Sequence, residues 1–277
     1  MANHNQRELP PSPVEAVIWD LDDTLVVERP AAEAAMAATC QQAAIVLGVD
    51  PNQLEQDVFG EAKSQWWSLP TIDFARRVGI ASWEALWATF EGPGQELSNL
   101  RAVRLSNRQA VWRAAIERQA TVDHHTVEEL SNLFVEERLN RMEAFPDAEP
   151  VISQLQPAVP MAIVTNGAPD TQRTKLSLTG LDRFGLPTIV AGEIGIAKPN
   201  PEPFLRALDQ LGVAPEQAVF VGDSVTRDIT PALDLGMAAL LVARHSNDPN
   251  PTNLPEGRSH VISTLHAVQQ YLSQGAD

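Results

Sequence analysis

From Pro146 onward, short apolar runs alternate with helical patterns, and few folds accept that alternation. Residues 161–165, 188–191, 218–222, 239–242 and 261–262 read as strands, built from aliphatic and β-branched side chains. Helical patterns at 203–211, at 229–235 and at the C-terminal end stand between and after them. Strands that alternate with helices imply a parallel, doubly wound sheet with right-handed crossovers. A further strand at residues 15–20 belongs to the same sheet, although some 120 residues separate it from the rest.

That separating stretch, residues 26–143, has a different character. Pro30 opens an Ala-rich helix to about Leu47, closed by Gly48. Asp50-Pro51 reads as the cap and first residue of a second helix running through Trp66-Trp67. Ser82 is expected to open a short helix carrying Trp83, Leu86, Trp87 and Phe90 at helical spacing, broken at Glu91-Gly92-Pro93-Gly94. Thr126 with Glu129 predicts a capping box for a helix ending near Met142. The expectation is an α/β core over residues 13–25 and 144–277, interrupted by an all-helical domain over 26–143 and preceded by a disordered leader, residues 1–12.

Ligands bind at the carboxyl ends of strands in such a sheet, and polar residues gather there in this chain. The first strand runs into Asp20-Leu21-Asp22-Asp23-Thr24. Thr165-Asn166-Gly167 ends a second, Gly222-Asp223-Ser224 ends a third with Asp228 close behind, and Lys198-Pro199 lies in a loop between. An EF-hand is excluded, because its sixth and twelfth positions, counted from Asp20, hold Leu25 and Ala31. Taken singly, each polar residue has an ordinary explanation as a cap or a surface charge. Together they place four carboxylates and one ammonium in one crevice, leaving about three negative charges in a partly desolvated pocket. A divalent cation offsets two of these, and oxygen-only ligands favour Mg²⁺ over zinc. The chemistry that suits such a pocket is attack by a carboxylate on a phosphoryl group, with a neighbouring acid protonating the leaving oxygen.

These four motifs, in this order, resemble the haloacid dehalogenase (HAD) superfamily, with a Rossmann-like core and a C1-type helical cap. The resemblance implies that Asp20 is the nucleophile and Asp22 the general acid and base. Thr165 and Asn166 would contact the phosphate, and Lys198 would stabilise both nucleophile and phosphate. Asp20, the Asp22 backbone carbonyl, Asp223 and Asp228 would hold Mg²⁺. It further implies a phosphatase rather than a dehalogenase, because the dehalogenase branch lacks the acid at the Asp22 position. A phosphonatase would need a cap lysine, and Lys63 alone is available. A sugar phosphomutase and a non-catalytic scaffold are the remaining alternatives.

The expected substrate is a small phosphorylated metabolite of the sugar-phosphate or nucleotide class. Arg104 and Arg108, one helical turn apart in an arginine-rich segment, are expected to hold an anionic part of it. A net charge of −16 argues against a nucleic-acid polymer or an anionic membrane as partner. One cysteine, no apolar run of membrane-spanning length and no signal sequence lead to the expectation of a cytoplasmic monomer or homodimer.

Overall fold

The computed structural model describes residues 14–244, 254–255 and 257–274; the leader expected at 1–12 lies outside them. Six strands form one sheet: β1 (Ala16–Trp19), β2 (Met161–Thr165), β3 (Thr188–Val190), β4 (Ala218–Gly222), β5 (Ala238–Val242) and β6 (Ser259–Ile262). Their order is β3-β2-β1-β4-β5-β6, and every neighbouring pair is parallel. The order reverses at β1, so the crevice of the doubly wound sheet opens above β1, β2 and β4. Alternation along β1 explains why it sits centrally. Val17 and Trp19 enter the core on one face, Ala16 and Ile18 the core on the other, and all four are buried.

Residues 26–143, between β1 and β2, hold five α-helices: α1 (Arg29–Leu47), α2 (Pro51–Ser68), α3 (Ile72–Val78), α4 (Gln95–Ile116) and α5 (His124–Asn140). Gly48 closes α1 with a left-handed φ of 71°, and the Asp50 carboxylate accepts the Asn52 and Gln53 amides at the start of α2. After α6 (Ala148–Leu155), the sheet is flanked by α7 (Pro169–Leu178), α8 (Ala191–Ile194), α9 (Glu202–Leu211), α10 (Thr230–Asp234) and α11 (His266–Gln274).

Two expectations are corrected here. The helix expected from Ser82 is only a tight turn at Glu84–Leu86. Phe90 takes a left-handed φ of 55° and stacks on Trp66, so its apolar spacing is met by a loop. The fifth helix is capped by Asp123, whose carboxylate accepts the Thr126 amide at 2.7 Å, rather than by Thr126; Glu129 pairs instead with His125. No single helix among the described residues is long and apolar enough to cross a membrane.

Candidate active site

β1 delivers Asp20 while the strand is still paired: its amide donates to the Val221 carbonyl of β4 at 2.8 Å. The chain then folds back tightly, with the Leu21 carbonyl accepting the Leu25 and Val26 amides at 2.9 Å each. Asp23, in the left-handed region at φ 54°, accepts the Glu28 and Arg29 amides at the start of α1, both at 3.0 Å. A carboxylate at a helix N-terminus meets unpaired N–H groups and the positive end of the dipole. Of the three neighbouring acids, Asp23 is therefore engaged structurally, while Asp20 and Asp22 face the crevice.

Lys198 is buried, its ammonium 2.6 Å from Asp20 Oδ1 and 2.8 Å from Asp228 Oδ1. Burial alone would lower its pKa, but the Asp20 and Asp228 carboxylates more than reverse that and hold the ammonium charged. The loop bearing Lys198 is fixed by Asn166. Its Nδ2 donates to the Lys198 carbonyl at 3.0 Å, and its Oδ1 accepts the Lys198 amide at 2.9 Å. Thr165, buried at the end of β2, receives a hydrogen bond from Gln172 of α7.

At the end of β4 the chain enters a π-helical turn, Val225–Ile229, in which the Ser224 carbonyl accepts both the Asp228 and Ile229 amides. That turn swings Asp228 under the strand end, where its Oδ2 accepts the Ser224 amide at 3.0 Å. A Cβ on Gly222 would lie 2.5 Å from Asp228 Oδ2, so only glycine permits this approach. Carboxylate oxygens of Asp20, Asp223 and Asp228 lie within 4.8 Å of one another, an all-oxygen donor set that fits a hard divalent cation. Burial raises the Asp20 pKa well above the usual range, against the pull of Lys198 and with the push of Asp228 and Asp223. Burial and Asp228 bring Asp223 up to about 6. Three carboxylates against one ammonium leave about two negative charges, the charge a divalent cation offsets.

Asp22 lies beside this group in a second network. Its Oδ1 is 2.9 Å from the buried Lys175 ammonium, and its Oδ2 accepts from Gln172 Nε2 at 2.9 Å. Lys175 also reaches Glu28 at 3.3 Å, while Arg138, fully buried at the end of α5, meets both Glu28 oxygens at 3.0 Å. Burial would lower the Lys175 pKa, yet Asp22, Glu28 and Glu84 together raise it. Gln172, Lys175, Glu28, Glu84 and Arg138 were not singled out from sequence. They lie up to 153 residues from the groups they touch, at positions with no distinguishing sequence pattern.

A cavity of about 650 Å³ lies between the sheet edge and the helical block; Glu28, Glu84 and Lys175 line it, whereas Gln172 and Arg138 do not. Asp20, Asp22, Asp223, Thr165, Asn166 and Lys198 all line it, and Asp228 reaches it through Lys198. Arg104 and Arg108 do not. The block contributes lining from α1, α2, α3 and residues 79–84, whereas α4 packs chiefly on α2. Arg104 donates to the Arg101 carbonyl at 2.8 Å, and Arg108 is buried, its pKa pushed down to about 10 by burial and by Arg104. The arginines that line the cavity are Arg29, Arg76 and Arg227. Lys63 is exposed and outside the lining.

A model of the haloacid dehalogenase-like hydrolases matches residues 14–236, from the first strand past Asp228. The chain belongs to this hydrolase family. A phosphoserine phosphatase of Thermus thermophilus is 32% identical over 246 residues, covering 88% of this chain and 95% of the relative. A glyceraldehyde 3-phosphate phosphatase of Methanopyrus kandleri is 36% identical over 114 residues, about half of that protein's length. Among solved structures, a HAD phosphatase from Thermococcus onnurineus superposes with a TM-score of 0.59 at 23% identity, covering 94% of this chain and 98% of its own. At that identity the superposition speaks for the fold.

Proposed function

We propose that this HAD hydrolase is a Mg²⁺-dependent phosphomonoesterase that cleaves a small phosphorylated metabolite through an aspartyl-phosphate on Asp20. Residues 26–143 act as its cap over a core built from the remaining residues. One observation carries the reading: Asp20 Oδ1 is held 2.6 Å from Lys198, beside Asp223 and Asp228, with a second carboxylate, Asp22, on the same cavity wall. The phosphatases among its relatives support it.

In this account, Lys198 and the Thr165 hydroxyl position the phosphoryl group against Asp20. Asp20 attacks phosphorus, the bond to the leaving oxygen breaks, and Asp22 donates a proton to that oxygen. Asp22, now ionised, takes a proton from water as the water attacks phosphorus, releasing phosphate and regenerating Asp20. Asp20, Asp223, Asp228 and the Asp22 carbonyl would hold Mg²⁺, which supplies charge neutralisation for nucleophile and phosphate. Gln172 and Lys175 fix the Asp22 carboxylate, and Asn166 acts by fixing the Lys198 loop.

The test is to trap the intermediate. With an activated aryl phosphate, whose leaving group needs little protonation, Asp22→Asn should accumulate phosphoenzyme after an acid quench. Peptide mass spectrometry should then find one phosphoryl group on Asp20. A phosphoryl group elsewhere, or none in a variant that still turns over, contradicts the mechanism.

A further inference from the structure

Among the charged groups of the cavity that the proposed chemistry leaves unused, one is buried and without an ion pair among the described residues. Glu84 belongs to the tight turn of the helical block; it is 4% exposed, yet it lines the same cavity as Asp20 and Asp22. The fold makes a seat for it on the opposite side. Thr171 of α7 donates its hydroxyl to Glu84 Oε1. Gly167, at φ +111°, leaves the room, since a Cβ there would lie 2.9 Å from the same oxygen. The only other donor among the described residues is the Ala81 amide, 3.4 Å from Oε2. An ionised carboxylate offers about four acceptor positions, so capacity remains.

The charges around it are unequal. Asp22 and Glu28 are met by Lys175, and Glu28 also by Arg138. Glu84 forms no ion pair among the described residues. Before substrate binds, with Asp22 ion-paired to Lys175, three carboxylates against two cations leave one negative charge in this corner, and Glu84 is the carboxylate without an ion pair among the described residues. A buried carboxylate without a counter-charge is unfavourable, and burial accordingly raises Glu84 to about 7. Three arginines stand on the same wall: Arg29 and Arg227 are exposed and make no ion pair among the described residues, while Arg76, about half exposed, lies over the Trp67 ring and reaches Asp73 at 3.9 Å.

We propose that Glu84 determines specificity by receiving an ammonium group of the substrate, so that the preferred substrate is a small amino-acid phosphate. Its phosphate sits at Asp20 and Lys198, its ammonium at Glu84 and its carboxylate at Arg29 and Arg76. This rests on the phosphatase reading, and it departs from the sugar-phosphate or nucleotide class expected from sequence. The substrate named for the Thermus relative has this chemistry.

The experiment compares kcat/KM for O-phosphoserine with that for 3-phosphonooxypropanoate, the same molecule without its ammonium, in wild type and Glu84→Gln. A charge-assisted hydrogen bond predicts a wild-type preference of roughly 10- to 100-fold for phosphoserine. Glu84→Gln should bring that ratio to within about threefold of one. A purely structural role for Glu84 would change both values equally and leave the ratio intact, which overturns the proposal. So does a wild type that hydrolyses other phosphomonoesters without preferring the ammonium-bearing member of the pair. Thr171→Val, which keeps the carboxylate but removes its anchor, should lower the ratio part-way and serves where Glu84→Gln does not fold. A protein that hydrolyses no phosphomonoester defeats the phosphatase reading instead.

Discussion

Lys198 touches two buried carboxylates with one ammonium, and its removal should show in folding as well as in turnover. Lys198→Met keeps the length of the side chain but strands Asp20 and Asp228. Breaking such a buried pair destabilises by about 3–5 kcal/mol, read as a lower urea midpoint, and added Mg²⁺ should recover part of the loss. Glu84 gives a pH signature of its own. Its folded pKa of about 7 lies above the ordinary 4.5, so the folded state binds its proton more tightly than the unfolded chain does. Stability from this group is therefore lost as pH rises through the window from 4.5 to 7. Glu84→Gln removes that slope: relative to wild type, it should gain up to about 3 kcal/mol between pH 5 and pH 8 in urea titrations. A difference between the two proteins that does not change with pH would contradict the burial argument.

At the scale of elements, the site depends on how three strand ends and one helix pair meet. The π-helical turn brings Asp228 against Gly222, and Gly222→Ala must push it away. Calorimetry should show Mg²⁺ affinity reduced roughly tenfold or more, with the sheet still folded. The Arg138–Glu28 pair ties the end of α5 to the start of α1. Arg138→Met should cost about 3 kcal/mol, and adding Glu28→Gln should restore part of it, because the stranded charge is then gone. Elements whose signals are local were legible in the sequence: the five later strands, the Gly48 and Asp50 caps, and the four polar motifs, three at strand ends and one in a loop. The turn at Glu84–Leu86 was not, because helical spacing of Trp83, Leu86 and Phe90 carries no word of Phe90's left-handed backbone or of Glu84's pull toward Thr171. Asp123 and Thr126 are both residue types that cap helices, and only geometry decides between them.

Across the whole molecule, the groups proposed as catalytic, from β1, β2, β4 and one loop, meet a helical block inserted within a single connection. The core half of the cavity was legible because strand order converts sequence motifs into one crevice. The block's half was not, since Glu28 pairs with Arg138 and with Lys175 of α7, and Glu84 meets Thr171 of α7, across distances for which sequence has no period. The arginine-rich segment, expected at the substrate, lies on α4, away from the cavity. The central claim is that this crevice hydrolyses phosphomonoesters with Asp20 as nucleophile and Mg²⁺ in its acidic corner. The direct measurement is phosphate release from a panel of amino-acid phosphates, sugar phosphates and nucleotides, with Mg²⁺ and with EDTA, for wild type and Asp20→Asn. The account predicts release that requires Mg²⁺ and falls at least a thousandfold in Asp20→Asn. Release that survives either EDTA or the loss of Asp20, or no release from folded, Mg²⁺-bound protein, would contradict it.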